Sequence, residues 1–234
     1  MPSICHNPIQ GTTMRVTRLD NCGRPVEGDC SQVVSEGFIS VAMTDNIEPP
    51  DEFKQKNAQG RYCFPPVRTD PLLNWIETAI QFCEVDPELF EMVTGSPIVV
   101  DDATPEPNAI GFGTDEDTYA TAKFALEVWT NLAGDGACSE DGERFGYLLL
   151  PFLKEGTWGD LTIENGPVNF TVNAITKGGT PWGTGPYDVV VDAAGLPSPL
   201  LAPLPTTRHR QWMLTQLAPP EASCGCQPLV VPSV

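Results

Sequence analysis

Proline and glycine recur along this chain, and outside 72–86 and 114–133 no run of 15 residues escapes both. The 24 prolines and 21 glycines are spread along 234 residues rather than gathered in one tail. Proline lacks an amide donor and clashes with the preceding helical turn, while glycine and proline both favour turns. The pattern therefore implies short extended segments joined by turns and long connections, a mainly β fold. Apolar residues make up 41% of the chain, enough for a core, and the length fits one domain, 1–234, with substantial loops or arms.

Alternation of apolar and polar residues places the strands. Residues 13–20 carry Met14, Val16 and Arg18 in step, and 33–44 carry Phe38, Ile39, Val41 and Met43. Residues 73–85 form the clearest long strand, with Trp75, Ala79, Cys83 and Val85 on one face and Ile76, Ile80 and Phe82 on the other. Both faces are largely apolar, so this strand is expected to be covered on two sides. A single short helix follows at about 86–94. Asp86 is its N-cap, Pro87 its first residue, Glu88 lies in its first turn and Gly95 at its end.

Further strands are expected at 97–100, 120–130, 145–153, 187–191 and 210–217. Another pair, 161–164 and 168–176, flanks Asn165-Gly166, a strong hairpin signal. Residues 20–25 read as a turn, and 196–205, with four prolines, as extended chain. The N-terminus and residues 45–59, 97–119 and 219–234 read as arms or protruding loops.

Charge narrows the function. The chain carries 31 Asp and Glu against 13 Lys and Arg, a net −18. Between Arg68 and Lys123 there is no basic residue, while Asp70, Glu77, Glu84, Asp86, Glu88, Glu91, Asp101, Asp102, Glu106, Asp115, Glu116 and Asp117 fall in that window. Nucleic-acid affinity rests on Lys and Arg neutralising phosphates, so this balance speaks against a nucleic-acid binder. It suits a surface that repels a polyanion, keeps a concentrated protein soluble, or holds cations.

No residue pattern assembles into catalytic or cofactor chemistry, and the sequence nominates no catalytic, cofactor-binding or metal residues. His6 and His209 lack a nucleophile or a partner at metal-ligand spacing. Gly111-Phe112-Gly113 and Gly183-Thr184-Gly185 lack the rest of a phosphate loop and read as turns. The acidic run 135–143 does not match the oxygen spacing of an EF-hand and reads as a solvated loop. Asp101-Asp102 and Asp115-Glu116-Asp117 could supply a glycosidase pair only if folding set them at the right separation.

Eight cysteines, at 5, 22, 30, 63, 83, 138, 224 and 226, are expected mainly as free or buried thiols. Disulfides and a metal site stay open, since Cys5, Cys22, Cys30, Cys224 and Cys226 lie toward two termini that could meet. Residues 1–8 have neither a basic nor an apolar region of the kind that directs secretion, and no apolar run is long enough to span a bilayer. The expectation is a soluble protein made in the cytoplasm.

Several phrases carry a resemblance. TRLDNCGRPV at 17–26, FCEVDPELF at 82–90, FALEVW at 124–129, GYLLLPF at 146–152, WGTGPYDV at 182–189 and APPEA at 218–222 together resemble the major tail (tail tube) proteins of long-tailed phages infecting actinobacteria. The likeness runs from about Arg15 to Cys226. It implies a tail-tube-type β-sandwich or barrel with one flanking helix, and no enzyme. Six copies would close into a ring, and rings would stack head-to-tail into a tube in the virion tail, the chain being made in the host cytoplasm. The inner sheets would join into one barrel around a bore through which DNA passes without specific binding. Other tail proteins, namely the tape measure, terminator and distal tail proteins, would be partners; cofactors and membranes would not. A capsid decoration protein, a tail terminator, a calcium- or glycan-binding β-sandwich and a glycoside hydrolase are the competing readings.

Overall fold

A computed structural model describes residues 6–134, 138–139, 142–179 and 181–229. The first strands are β1 (Asn7–Arg18), β2 (Gly28–Ser35) and β3 (Phe38–Glu48), and two short pieces follow, β4 (Glu52–Phe53) and β5 (Val67–Arg68). Strand β6 (Leu72–Phe82) leads into helix α1 (Pro87–Thr94), then β7 (Ile98–Val100), β8 (Ala109–Phe112) and a 3-10 turn at Thr118–Ala120. The long strands β9 (Lys123–Ala133) and β12 (Phe145–Trp158) enclose the two-residue pieces β10 (Cys138–Ser139) and β11 (Gly142–Glu143). After β13 (Phe170–Thr176) come β14 (Val190–Val191), β15 (Pro197–Ser198), β16 (Gln211–Thr215) and β17 (Gln227–Leu229).

Nine strands form one antiparallel sheet in the order β17-β2-β1-β9-β12-β13-β6-β3, with β16 alongside the first half of β12. Strands β2 and β3 are consecutive in the chain yet lie near opposite ends of that order. Only Glu36 and Gly37 separate them, so the sheet must curl until its two ends meet. What reads in sequence as one strand over 33–44 is thus a single extended run bent at Glu36-Gly37, pairing first with β1 and then with β6.

Side-chain parity sends Met14 and Val16 from β1, Phe124, Leu126 and Val128 from β9, and Ile80 and Phe82 from β6 to one inner core. Helix α1 packs into that core through Leu89, Phe90, Met92 and Val93. Its termination signals act as the sequence implies. Asp86 Oδ1 accepts from the N–H groups of Glu88 (3.0 Å) and Leu89 (3.3 Å), and Gly95 adopts φ +79° with its N–H on Glu91 O. Gly156 lets the helix end approach β12. A Cβ there would stand 2.9 Å from the Val93 carbonyl carbon and closer still to its oxygen.

A second core lies on the other face of β1, β9 and β12. Leu19, Ala125, Trp129, Tyr147, Leu149 and Phe152 meet Trp182, Val189 and Leu200 from the proline-rich segment after β13. A bulge after Leu150 resets parity in β12, which turns Phe152 to this outer core and Leu153 to the inner one. The strands covered on two faces are therefore β9 and β12. The expectation for 73–85 is corrected: β6 buries Ile76, Thr78, Ile80 and Phe82 but leaves Glu77 and Gln81 exposed. The outer layer stops short of it.

The hairpin at Asn165-Gly166 is also corrected. Residues 161–164 form no strand, and Leu161 and Ile163 are exposed. Strand β13 pairs instead with the extension of β12, Thr157 opposite Asn173 and Trp158 opposite Val172. The long-range partner outweighs the local turn.

Candidate functional site

The most exposed part of the molecule is an arm that continues β3 and returns into β6. Beyond Glu48 it pairs Glu52 with Arg68 and Phe53 with Val67, then Lys56 with Tyr62, and turns at residues 57–60. Asn57 Oδ1 accepts from the N–H groups of Gln59 (3.0 Å) and Arg61 (3.0 Å), and Gly60 has φ +77°. Every residue from Asp51 to Asn74 is exposed. The expected loop at 45–59 does project, but it is the first half of a longer hairpin arm.

Apolar side chains are numerous on that arm. Phe53 (53% exposed), Val67 (56%) and Leu72 (63%) accompany Ile47, Tyr62, Phe64 and Leu73. Large exposed apolar side chains gathered on one arm point to an interaction site. Strand β3 adds a second feature, since among the described residues it pairs only with β6 and its outer edge is open over eleven residues. Edges of this length invite further pairing. The outward face of β3, β6 and β13, with the end of β12, is a shallow groove of about 410 Å³ lined mostly by small and polar residues, Glu77 and Glu155 among them, and by Ile175.

The other expected arms are tied down. The N-terminal one is corrected: from Asn7 the chain is already in β1, paired with β9. Within 97–119, β7 and β8 form a hairpin whose Phe112 stacks on Trp158 and packs on Phe90. From 219 onward the chain returns to β2, where Cys226 is disulfide-bonded to Cys30 and Leu229 is buried. Residues 230–234 lie outside the described residues. Cys22, Cys63, Cys83 and Cys224 are free, as expected, and exposed rather than buried, while the disulfide alternative is realised at Cys30–Cys226. Cys5 falls outside the described residues, as do most of the acidic residues of 135–143.

The carboxylates of the basic-free stretch serve different ends. Asp101 accepts from Asn108 Nδ2 (3.0 Å), Asn108 N–H (2.8 Å) and Ala103 N–H (3.1 Å), which hold its carboxyl below the usual range. That makes it a loop cap and a poor general acid. Glu91 pairs with Arg18 and fastens α1 to β1. Glu84, Asp86 and Glu88 meet Glu36 around a cleft of about 670 Å³ between α1, the Glu36-Gly37 bend and the C-terminal segment. Both histidines are engaged. His209 Nδ1 lies 2.7 Å from Thr176 Oγ1, and burial pulls its pKa down. His6 stacks on Trp212 and accepts its indole N–H.

One buried cluster escaped the sequence reading. Arg15, 7% exposed, donates through Nε (2.6 Å) and Nη2 (2.8 Å) to Glu127, 1% exposed, and the Tyr147 hydroxyl donates to the same carboxylate. The guanidinium also lies 3.3 Å from the Tyr187 ring centroid, and the Tyr187 hydroxyl meets Thr17 Oγ1 at 2.8 Å. Burial lowers the guanidinium pKa, but the Glu127 charge and hydrogen bonds outweigh it and the net shift is upward. Burial raises both tyrosines, reinforced by the Glu127 charge. A single Glu in the largely apolar run 124–129 was the one visible signal; Arg15 stands in a strand that also carries Arg18 and several threonines. The cluster is enclosed by the outer core and fastens Tyr187 and its segment to the sheet.

No protein-family model matches the chain, and no curated protein matches it in sequence. Among the described residues no helix is long and apolar enough to cross a membrane.

Proposed function

We propose that this protein is a self-assembling structural subunit: six copies close into a ring, and the rings stack into a phage tail tube that conducts DNA. The observation that carries the reading is the apolar arm of residues 48–72 growing directly out of an open sheet edge. An arm with this much uncovered apolar surface needs a partner, and a second copy supplies one. The contact is head-to-tail, arm to a different surface of the neighbour, and such contacts propagate rings and filaments. Joining β3 to a neighbouring copy removes the open edge.

The bare face of β3, β6 and β13 then lines the bore, with Glu77 toward DNA and Glu155 beside it paired with Lys154. Negative charge there keeps phosphates from binding, whereas each Lys or Arg contact would add affinity and drag. Screening limits the effect to carboxylates within roughly 10 Å of the duplex at 0.1 M salt. The tape measure, terminator and distal tail proteins of such a virion are the remaining partners under this reading.

The test is assembly of the purified chain across a concentration series, by light scattering and negative-stain microscopy. Six-fold rings or tubes are expected. Phe53→Asp and Val67→Asp should abolish them while leaving circular dichroism and the melting temperature unchanged, because both side chains are exposed in the monomer. A wild-type chain that stays monomeric throughout, or arm variants that assemble as well as wild type, would refute the proposal.

A further inference from the structure

The geometry points to a soft-metal site that forms when the Cys30–Cys226 disulfide is reduced, with Cys30, Cys226 and Glu88 as its protein ligands. One ligand atom from each residue lies within 4.8 Å of the other two. Three elements deliver them: Cys30 comes from β2, Cys226 stands just before β17, and Glu88 is in the first turn of α1.

Their placement does not depend on the S–S bond alone. Gly225 N–H donates to Asp86 Oδ2 (2.9 Å), Cys226 N–H donates to Glu88, and Gln32 Nε2 donates to Pro228 O (2.9 Å). Pairing of Gln227 with Gln32 and of Leu229 with Gly28 keeps β17 on β2. With Cα atoms 4.9 Å apart, the two reduced sulfurs remain neighbours. Zn–S bonds of about 2.3 Å in a tetrahedral site put two sulfurs roughly 3.8 Å apart, a separation reached by side-chain rotation. The Glu88 carboxylate is the third ligand, and water takes the fourth position.

Paired thiolates select zinc, cadmium or copper(I) over calcium and magnesium. Glu36, Glu84 and Asp86 line the adjoining cleft with Glu88, although Cys30 and Cys226 do not, and add negative potential near a cation. A dithiol reductant gives two electrons and two protons to the disulfide and leaves as its own cyclic disulfide. A divalent ion then displaces the two thiol protons to solvent. Disulfide and metal exclude one another, and each ties the C-terminal strand to β2.

The test uses the full wild-type chain, reduced with dithiothreitol, desalted without oxygen and titrated with Cd²⁺ alone. Binding is read from the thiolate-to-cadmium charge-transfer band and from alkylation of each cysteine mapped by mass spectrometry. Cd²⁺ should protect Cys30 and Cys226 while Cys22, Cys63 and Cys83 stay reactive, and the oxidised protein should show no band. Glu88→Gln should weaken binding and keep the band; Cys30→Ser should lose tight binding. Equal alkylation with and without Cd²⁺ overturns the site. Protection of Cys224 and Cys226 without Cys30 also overturns it, by placing the ion on Cys224-Gly225-Cys226. The mapping reads wild-type monomer and assembly alike, so its failure leaves the tube reading standing.

Discussion

Glu127→Gln should be among the most damaging single changes in this protein, although it barely alters volume. The substitution leaves Arg15 charged, buried and without its counter-charge. At an effective dielectric near 20 and about 4 Å between charge centres, the lost attraction is about 4 kcal/mol. Measured losses on removing one partner of a buried pair run about 3–5 kcal/mol. For a chain of this size each kcal/mol moves the midpoint by about 2–4 °C, so the melting temperature should fall by roughly 6–20 °C.

Replacing both partners separates charge from packing. Arg15→Met with Glu127→Leu removes two costly desolvations and should recover most of the loss. What remains is the Tyr147 hydroxyl, stranded without its acceptor at about 1–3 kcal/mol. Adding Tyr147→Phe should remove that penalty as well. Urea unfolding followed by tryptophan fluorescence is a suitable assay, because Trp129 packs edge-on to Tyr147 and lies beside Arg15. A loss below about 1 kcal/mol for Glu127→Gln, or a double variant as unstable as the single one, would refute the reasoning.

Three further outcomes follow from the fold. Cys226→Ser should lower stability by about 5 kcal/mol under oxidising conditions, since the bond closes a loop across 196 residues, and by little in dithiothreitol; paired urea titrations check this. Gly156→Ala should cost several kcal/mol or prevent folding, because its methyl group meets the Val93 carbonyl; a melting temperature within about 2 °C of wild type would contradict that. Alkaline pH should unfold the chain early. The folded-state pKa values of Tyr147 and Tyr187 lie above the ordinary 10.0, so their contribution is complete below pH 10 and declines above it as the unfolded tyrosines ionise. Tyr147→Phe should flatten the decline in urea midpoints measured across that range.

Local signals were legible and long-range ones were not. Helix α1 could be read from Asp86, Pro87 and Gly95 because capping is decided within one turn of chain. The alternation of Phe124, Leu126 and Val128 likewise reports one strand's own parity. By contrast, the bend at Glu36-Gly37 makes sense only once β1 and β6 claim the two halves of one run. Asn165-Gly166 has hairpin chemistry, yet β12 continues to Trp158 and takes β13 for itself. Which strand is covered twice depended on where the segment carrying Trp182 and Leu200 lands. The pairing of Cys30 with Cys226 likewise needed the C-terminal segment to return to β2, and the second half of the arm shows only once Glu52 and Phe53 pair with Arg68 and Val67.

The return of β17 to β2 also sets a clock on synthesis. At about 5–20 residues per second, close to 200 residues take roughly 10–40 s to translate. During that interval β2 has been made but the strand that flanks its outer side has not. A nascent chain therefore carries two open sheet edges where the finished one carries a single long one. Crowded polysomes are where premature pairing between copies would begin, and ribosome-bound chains lacking β17 should be the species that chaperones capture.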